Sequence, residues 1–253
     1  MRCRLLNGFK LPVLVIMFQF IAAHSFAGDK DSSTNNIGKT PRLTKVAAGR
    51  TPSKSAATLM AVYDSLHLSD LGLNQKVFRM ALKGMEKLRR MGKLTNDRVL
   101  SIVDFSQSSV NKRLYVIDVE NCLLLYNTLV AHGMKSGKDK AFSFSNKLSS
   151  NKSSLGFYVT NQTYNGSNGY SLRLQGCEKG INDNAAKRAI VMHGADYVNP
   201  DWIASQGYIG RSQGCPALSP EICKPVIDDI KDGTCLFIYH PSKLYISKSK
   251  LVK

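Results

Sequence analysis

Acidic residues are scarce in this chain. Its 253 residues hold 18 Asp and Glu against 35 Lys and Arg, a formal net charge of +17. Such an excess favours an anionic partner: nucleic acid, a membrane surface or an anionic wall polymer. It also fits a basic solvated surface with no single partner. No helix-turn-helix signal and no aromatic-interleaved basic motif is present, so nucleic acid is not expected as a partner. Cysteines are few, six in all, and no Cys-x-x-Cys occurs. Cys215 and Cys223 have no nearby His, so a zinc site is a poor reading and neither metal nor cofactor is expected. Beyond the first residues no stretch is long and apolar enough to span a bilayer. What remains is an apolar fraction of 43%, enough for a sizeable core.

The N-terminus reads as a leader. Arg2, Arg4 and Lys10 form a positive region, Leu11 to Ala23 an apolar one, and Ser25-Phe26-Ala27 a small-residue cleavage site. A signal peptide over 1–27 and a periplasmic or other extracytoplasmic location are expected. No Cys follows the apolar region, which argues against a lipoprotein. Residues 28–54 are rich in Ser, Thr, Asn, Lys and Gly and read as a disordered linker.

Over 55–97 the apolar period is helical. Val77, Met80, Ala81, Met85 and Leu88 recur at three and four, with Asn74 as N-cap and Gly92 as stop. The helix either packs on the domain behind it or, being basic and amphipathic, lies on a membrane or acidic polymer. Packing is the expectation. From 98 to 242 the pattern turns to strands: Ser101 to Phe105, Leu114 to Val119, Leu123 to Ala131, a hairpin around Asn165-Gly166, Ala189 to His193, and Cys235 to Tyr239. A short helix is predicted over Pro220 to Lys231. The class is mainly β, a sandwich or open barrel around one cleft. Residues 243–253 read as a basic tail or an edge strand. Residues Gly133 to Ser154, with five lysines, read as a cleft-edge loop or a solvated insertion.

The chemistry is concentrated between Ile190 and Leu218. A strand ending in His193-Gly194 precedes Ser212-Gln213-Gly214-Cys215 by about twenty residues. A thiol nucleophile needs a base within reach, and the two rarely adjoin in sequence. His193 is the expected base and Cys215 the nucleophile. Gly214 would let backbone N–H groups face an oxyanion. Without Cys3, five cysteines remain. Either two disulfides form in an oxidising compartment and leave one free thiol, expected at Cys215, or all five are reduced; the pairing is not readable from sequence.

His-Gly followed by Ser-x-Gly-Cys resembles the L,D-transpeptidase catalytic domain, the YkuD type, and within it the murein L,D-transpeptidase catalytic domain family. The blocks Arg113 to Asp118, Tyr126 to Gly133 and Ser153 to Tyr158 share that resemblance, which runs from about Tyr63 to Tyr239. It implies a YkuD-type β fold and a carbapenem-sensitive enzyme of cell-wall biogenesis. The donor would be a peptidoglycan tetrapeptide stem, acylating Cys215. An amine acceptor gives a crosslink, water gives an L,D-carboxypeptidase, and a non-catalytic wall-binding protein is the remaining alternative. By the same analogy the Gly194 carbonyl orients His193, and Gly156 borders the substrate. Many members carry Arg two residues after the Cys, where this chain has Pro216-Ala217. Arg211 is the substitute considered, with Ser212 as a further substrate contact. Asp196, Tyr197, Trp202 and Tyr208 lie between the two motif halves, where the aromatics either pack the loop or cover the cleft; in the second case Tyr197 is the substrate contact. The partners expected are stem peptides and the anionic wall polymer, and the chain is expected to be a monomer.

Overall fold

A computed structural model describes residues 56–253. The expected leader and linker lie outside the described residues. Eight strands form one sheet: β1 Val99–Asp104, β2 Leu114–Asp118, β3 Leu123–Thr128, β4 Gly156–Gly166, β5 Gly169–Gly176, β6 Val191–Gly194, β7 Ala217–Leu218 and β8 Cys235–Tyr239. Their order is β3-β2-β1-β8-β4-β5-β6-β7. β1–β8 and β6–β7 pair parallel, the other neighbours antiparallel. Ala131, just past β3, bridges Ala217 of β7, so the two ends of the sheet meet and it is nearly closed. β1, β2 and β8 are buried at every position, as their largely apolar sequences require when both faces are covered.

Two helices precede the sheet, α1 Ala56–Ser65 and α2 Gln75–Arg90. Asn74 caps α2 by accepting the Lys76 N–H at 2.8 Å, and Gly92, at φ +66°, ends it in the left-handed region. Val77, Phe78, Ala81, Leu82, Met85 and Leu88 are buried in the same apolar cluster as the sheet. Each large side chain so buried contributes about 1.5–3 kcal/mol. The apolar face is therefore committed to the core, and the exposed residues of α2 are polar or basic: Gln75, Lys76, Arg79, Lys83 and Arg90. Helix and sheet share one interior, so residue 97 marks no break in the core.

The C-terminal residues are neither tail nor edge strand. They form α5, Lys243–Lys248, and then bury Leu251 and Val252. The anchor is Glu178, which accepts the Phe157 N–H at 2.9 Å, the Tyr245 hydroxyl at 3.2 Å and the Ser249 hydroxyl. Burial raises the Glu178 carboxyl above its ordinary range, against these donors. The β4–β5 turn falls at Ser167-Asn168, later than Asn165-Gly166, because Gly169 supplies the positive φ of +70°. The expected helix after the Cys loop is α4, Pro220–Ile230. The short helix α3, Pro200–Gln206, and the two-residue β7 were not expected from the sequence.

Candidate active site

His193 is the penultimate residue of β6, flanked by Ser171 of β5 and Ala217 of β7. This register is what puts the strand-end imidazole beside the Cys loop, since Cys215 enters β7 two residues earlier. The His193 ring is 6% exposed, and its Nδ1 lies 2.8 Å from the Gly194 carbonyl oxygen. A carbonyl can only accept, so Nδ1 carries the hydrogen and Nε2 is left as the basic nitrogen.

Both His193 and Cys215 line one cleft of about 1200 Å³. They are not hydrogen-bonded to each other. The half-buried Cys215 Sγ accepts the Val191 N–H at 3.5 Å and donates to the Ala189 carbonyl at 3.7 Å. Burial pushes the Cys215 thiol above its ordinary range; the Val191 N–H and the Arg188 charge pull the other way and are outweighed. These surroundings favour the protonated form of the thiol. All five described cysteines are free thiols, so no disulfide singles Cys215 out. Cys223 lines the same cleft but is buried in α4, whereas Cys215 is half-buried on the loop leading into β7.

The loop carrying Cys215 is fastened on two sides. The Ser212 N–H donates to His132 O at 2.9 Å, and the Met134 N–H donates to Ser212 O at 2.7 Å. Ser153 Oγ accepts from the Gly133 N–H at 3.0 Å and donates to Gly214 O at 3.2 Å. Behind this, Arg113 is fully buried and donates to His132 Nδ1 at 2.8 Å. Burial and that charge push His132 down to about 4, so its ring is a neutral strut. Its Nε2–H faces Gly137 O at 3.3 Å. Arg113 and His132 stand in sequence blocks already noted, but their backing role was not read from them.

Two expected roles change. The Ser212 hydroxyl is used within the loop: it donates to Cys215 O at 2.6 Å and accepts the Gly214 N–H at 3.0 Å. It shapes the loop and has no free hydrogen for substrate. The same bond occupies the Gly214 N–H, so Gly214 is not an oxyanion donor. Among the described residues the N–H groups of Gln213 and Cys215 have no protein acceptor. Gly214 is still required, at φ +127° with a Cβ position 2.9 Å from Lys152 O.

Gly156 does not line the cleft. It is buried at the start of β4, where a Cβ would collide with the Glu178 carboxylate. Arg211 and Tyr197 do line it. Arg211 spends one N–H on Gly137 O at 3.3 Å and lies over the Tyr208 ring at 5.4 Å, which leaves most of its fork free. Burial raises the Tyr197 phenol to about 12, so it is a neutral donor. Trp202 is 41% exposed and off the cleft, while Tyr197 and Ile203 pack on a small cluster of Ala131, Val198, Ile209 and Ala217. The 133–154 segment borders the cleft through Met134 and residues 148–151. Arg188, absent from the sequence reading, also lines the cleft. Among the described residues no cluster of His, Cys, Asp and Glu suits a metal ion, and no helix is long and apolar enough to cross a membrane.

A family model described as the L,D-transpeptidase catalytic domain matches residues 69–239. No curated protein matches the chain. Similar solved structures include an L,D-transpeptidase from Mycobacterium smegmatis, at 16% identity and TM-score 0.35 over 56% of this chain and 59% of that one. The L,D-transpeptidase LdtMt1 in complex with imipenem matches at 15% and 0.34, over 56% of this chain and 59% of its own. The helical cell shape determining protein Pgp2 from Campylobacter jejuni matches at 16% and 0.36, over 63% and 57%. The chain thus spans less than two thirds of each of these proteins. Likenesses of this size carry no part of the family assignment, which rests on the family model.

Proposed function

The chain belongs to the L,D-transpeptidase catalytic domain family, and from that premise we propose a thiol acyltransferase that acts on peptidoglycan tetrapeptide stems through Cys215. The observation that carries the proposal is His193 and Cys215 on one cleft, with the His193 Nδ1–H held by the Gly194 carbonyl. A thiol favoured in its protonated form calls for general-base attack. Cys215 turns from Ala189 O toward His193, and Nε2 takes the thiol proton as Sγ attacks the stem carbonyl preceding the terminal D-residue. The Cys215 and Gln213 N–H groups hold the oxyanion. The C–N bond breaks, imidazolium gives its proton to the leaving amine, and a thioester remains. An acceptor amine then attacks the thioester, His193 takes the amine proton, and it returns that proton to the departing thiolate.

The cleft suits a peptide. Its volume exceeds the roughly 300–1,000 Å³ of small-ligand pockets, and its wall offers the free fork of Arg211 to a stem carboxylate. In this reading the enzyme works outside the cytoplasm, where its substrate is and where the expected leader would send it. The test is incubation of the purified protein with a carbapenem and, separately, with tetrapeptide muropeptides. A mass adduct on Cys215, absent in Cys215→Ala, together with loss of the terminal D-residue, is expected. Crosslinked product identifies transfer; tripeptide alone identifies hydrolysis. A protein that forms no adduct and leaves the stems intact would be a non-catalytic wall binder.

A further inference from the structure

We propose that Arg188 is the cation serving Cys215, a positioning residue that pins the turn beneath the thiol and stabilises negative charge on Sγ. The inference rests on the reading of Cys215 as nucleophile. It begins with backbone. Residues 184–190 make a helical turn, with the Arg188 N–H on Asn184 O at 2.9 Å and the Ile190 N–H on Ala185 O at 2.9 Å. The turn ends at Ala189 with φ 51°, a left-handed conformation that costs a non-glycine residue about 1 kcal/mol. That conformation accompanies an Ala189 carbonyl and a Val191 N–H that both reach Cys215 Sγ. Something must hold it.

Arg188 does. Its Nη1 donates to Ser145 O at 2.7 Å and Ser154 Oγ at 3.2 Å; its Nη2 donates to Ser150 Oγ at 3.2 Å and Lys152 O at 2.5 Å. The turn under the thiol is thereby bolted to the cleft-rim segment. All four acceptors are neutral, and among the described residues no carboxylate lies within ion-pair distance of this guanidinium. Its charge is solvated but not cancelled. A Cβ placed on Gly214 would stand 3.2 Å from Nη2, so the charge sits against the residue that precedes Cys215.

The other charges around the thiol are placed differently. Arg211 is drawn to Gly137 and Tyr208, and Lys224 is paired with Asp228 at 2.5 Å. Lys187, Asp196, His193 and the phenols of Tyr170 and Tyr197 complete the titratable groups of the wall, with the buried Cys223 thiol behind. Arg188 is the charged side chain among them that is fixed on every side. Its four occupied N–H bonds also mean that it acts through Cys215 and not by gripping substrate.

The test is the pH profile of Cys215 alkylation by iodoacetamide, with the background from other thiols measured in Cys215→Ala. It needs no peptidoglycan, so its failure is separable from failure of the functional proposal. A fixed cation beside a thiol favours the thiolate and lowers its titration. Arg188→Gln is therefore expected to move the alkylation midpoint up by about one unit. Arg188→Lys should hold it near wild type while lowering kcat, because a lysine cannot bridge four acceptors. A profile of Arg188→Gln that superimposes on wild type would reduce Arg188 to a structural bolt. If the glutamine variant does not fold, the lysine variant decides: a midpoint raised by a full unit with the charge still present overturns the electrostatic role.

Discussion

Ser212→Ala separates two uses of the same hydroxyl. If Ser212 touched substrate, its loss would raise KM. The structure gives it another task, because Oγ closes the loop by donating to Cys215 O at 2.6 Å and accepting the Gly214 N–H at 3.0 Å. The residue is 4% exposed, so water does not readily replace it. Two hydrogen bonds at a net ~1 kcal/mol each, plus part of the ~1–3 kcal/mol cost of an unsatisfied buried N–H, give a loss of about 2–4 kcal/mol. A domain of ordinary stability, about 5–15 kcal/mol, survives this. Catalysis should suffer more, because Cys215 and the N–H groups beside it lose their fixed geometry. A displacement near 1 Å costs on the order of 10²-fold in rate. Expected, then, are a kcat lowered about 10–100-fold, a KM within about twofold of wild type, and a fall in urea stability of the stated size. An unchanged kcat with a raised KM would refute the reasoning and return Ser212 to the substrate.

Three further outcomes are expected. Gly84→Ala should destabilise although alanine favours helices by about 1 kcal/mol: its methyl would enter the Phe157 ring, which is stacked on Phe237 at 4.2 Å and cannot yield, and overpacking costs about 1–3 kcal/mol or more. A stabilised variant in thermal melts would show that α2 does not pack there. Glu178, raised by burial, binds its proton more tightly when folded, so its protonation supports the fold below about 4.5 and that support is lost as pH rises through the folded value. Wild-type stability minus that of Glu178→Gln should thus fall as pH rises from there, measured by urea unfolding; a rise would mean that the donors around the carboxylate outweigh its burial. Lys135, Lys138, Lys140 and Lys147 are exposed on the cleft-rim segment and make no ion pair among the described residues, so the protein should adhere to isolated sacculi at low salt and release as salt screens charges beyond about 10 Å. Sedimentation with Cys215→Ala across a salt series checks this, and binding that ignores salt would dismiss it.

Local pattern explains what was readable in the sequence. The α2 face follows from spacings of three and four, the buried strands from largely apolar runs, and the strand-end His193 from a β run ended by glycine. These signals lie within a few residues of what they predict. What escaped depends on contacts that no local pattern reports. The lysines of 243–253 suggested a tail, but Tyr245 and Ser249 reach Glu178 across 67 and 71 residues, and a buried carboxylate holds them. The odd number of cysteines left disulfides and free thiols both open, because a count does not say whether two thiols meet; the five described thiols are all free.

Arg188 and Ser212 show the same divide inside the site. Arg188 sits in an ordinary Lys-Arg step, and its role appears only when Ser145 and Ser154, 43 and 34 residues away, come to its guanidinium. Ser212 was nearer to being legible. A serine two residues before a glycine can bond its own backbone, and that local habit was the available sign that its hydroxyl stays within the loop. Motif membership instead drew it toward the substrate. The chemistry of this site divides accordingly. The proposed reacting pair is written in short range, in His193-Gly194 and Gly214-Cys215. The machinery that sets their geometry, Arg113, His132, Ser153 and Arg188, is assembled by the fold. Substitutions in that second group should lower kcat while leaving both motif halves intact, so a chain of this family can keep its motif and still lose its turnover.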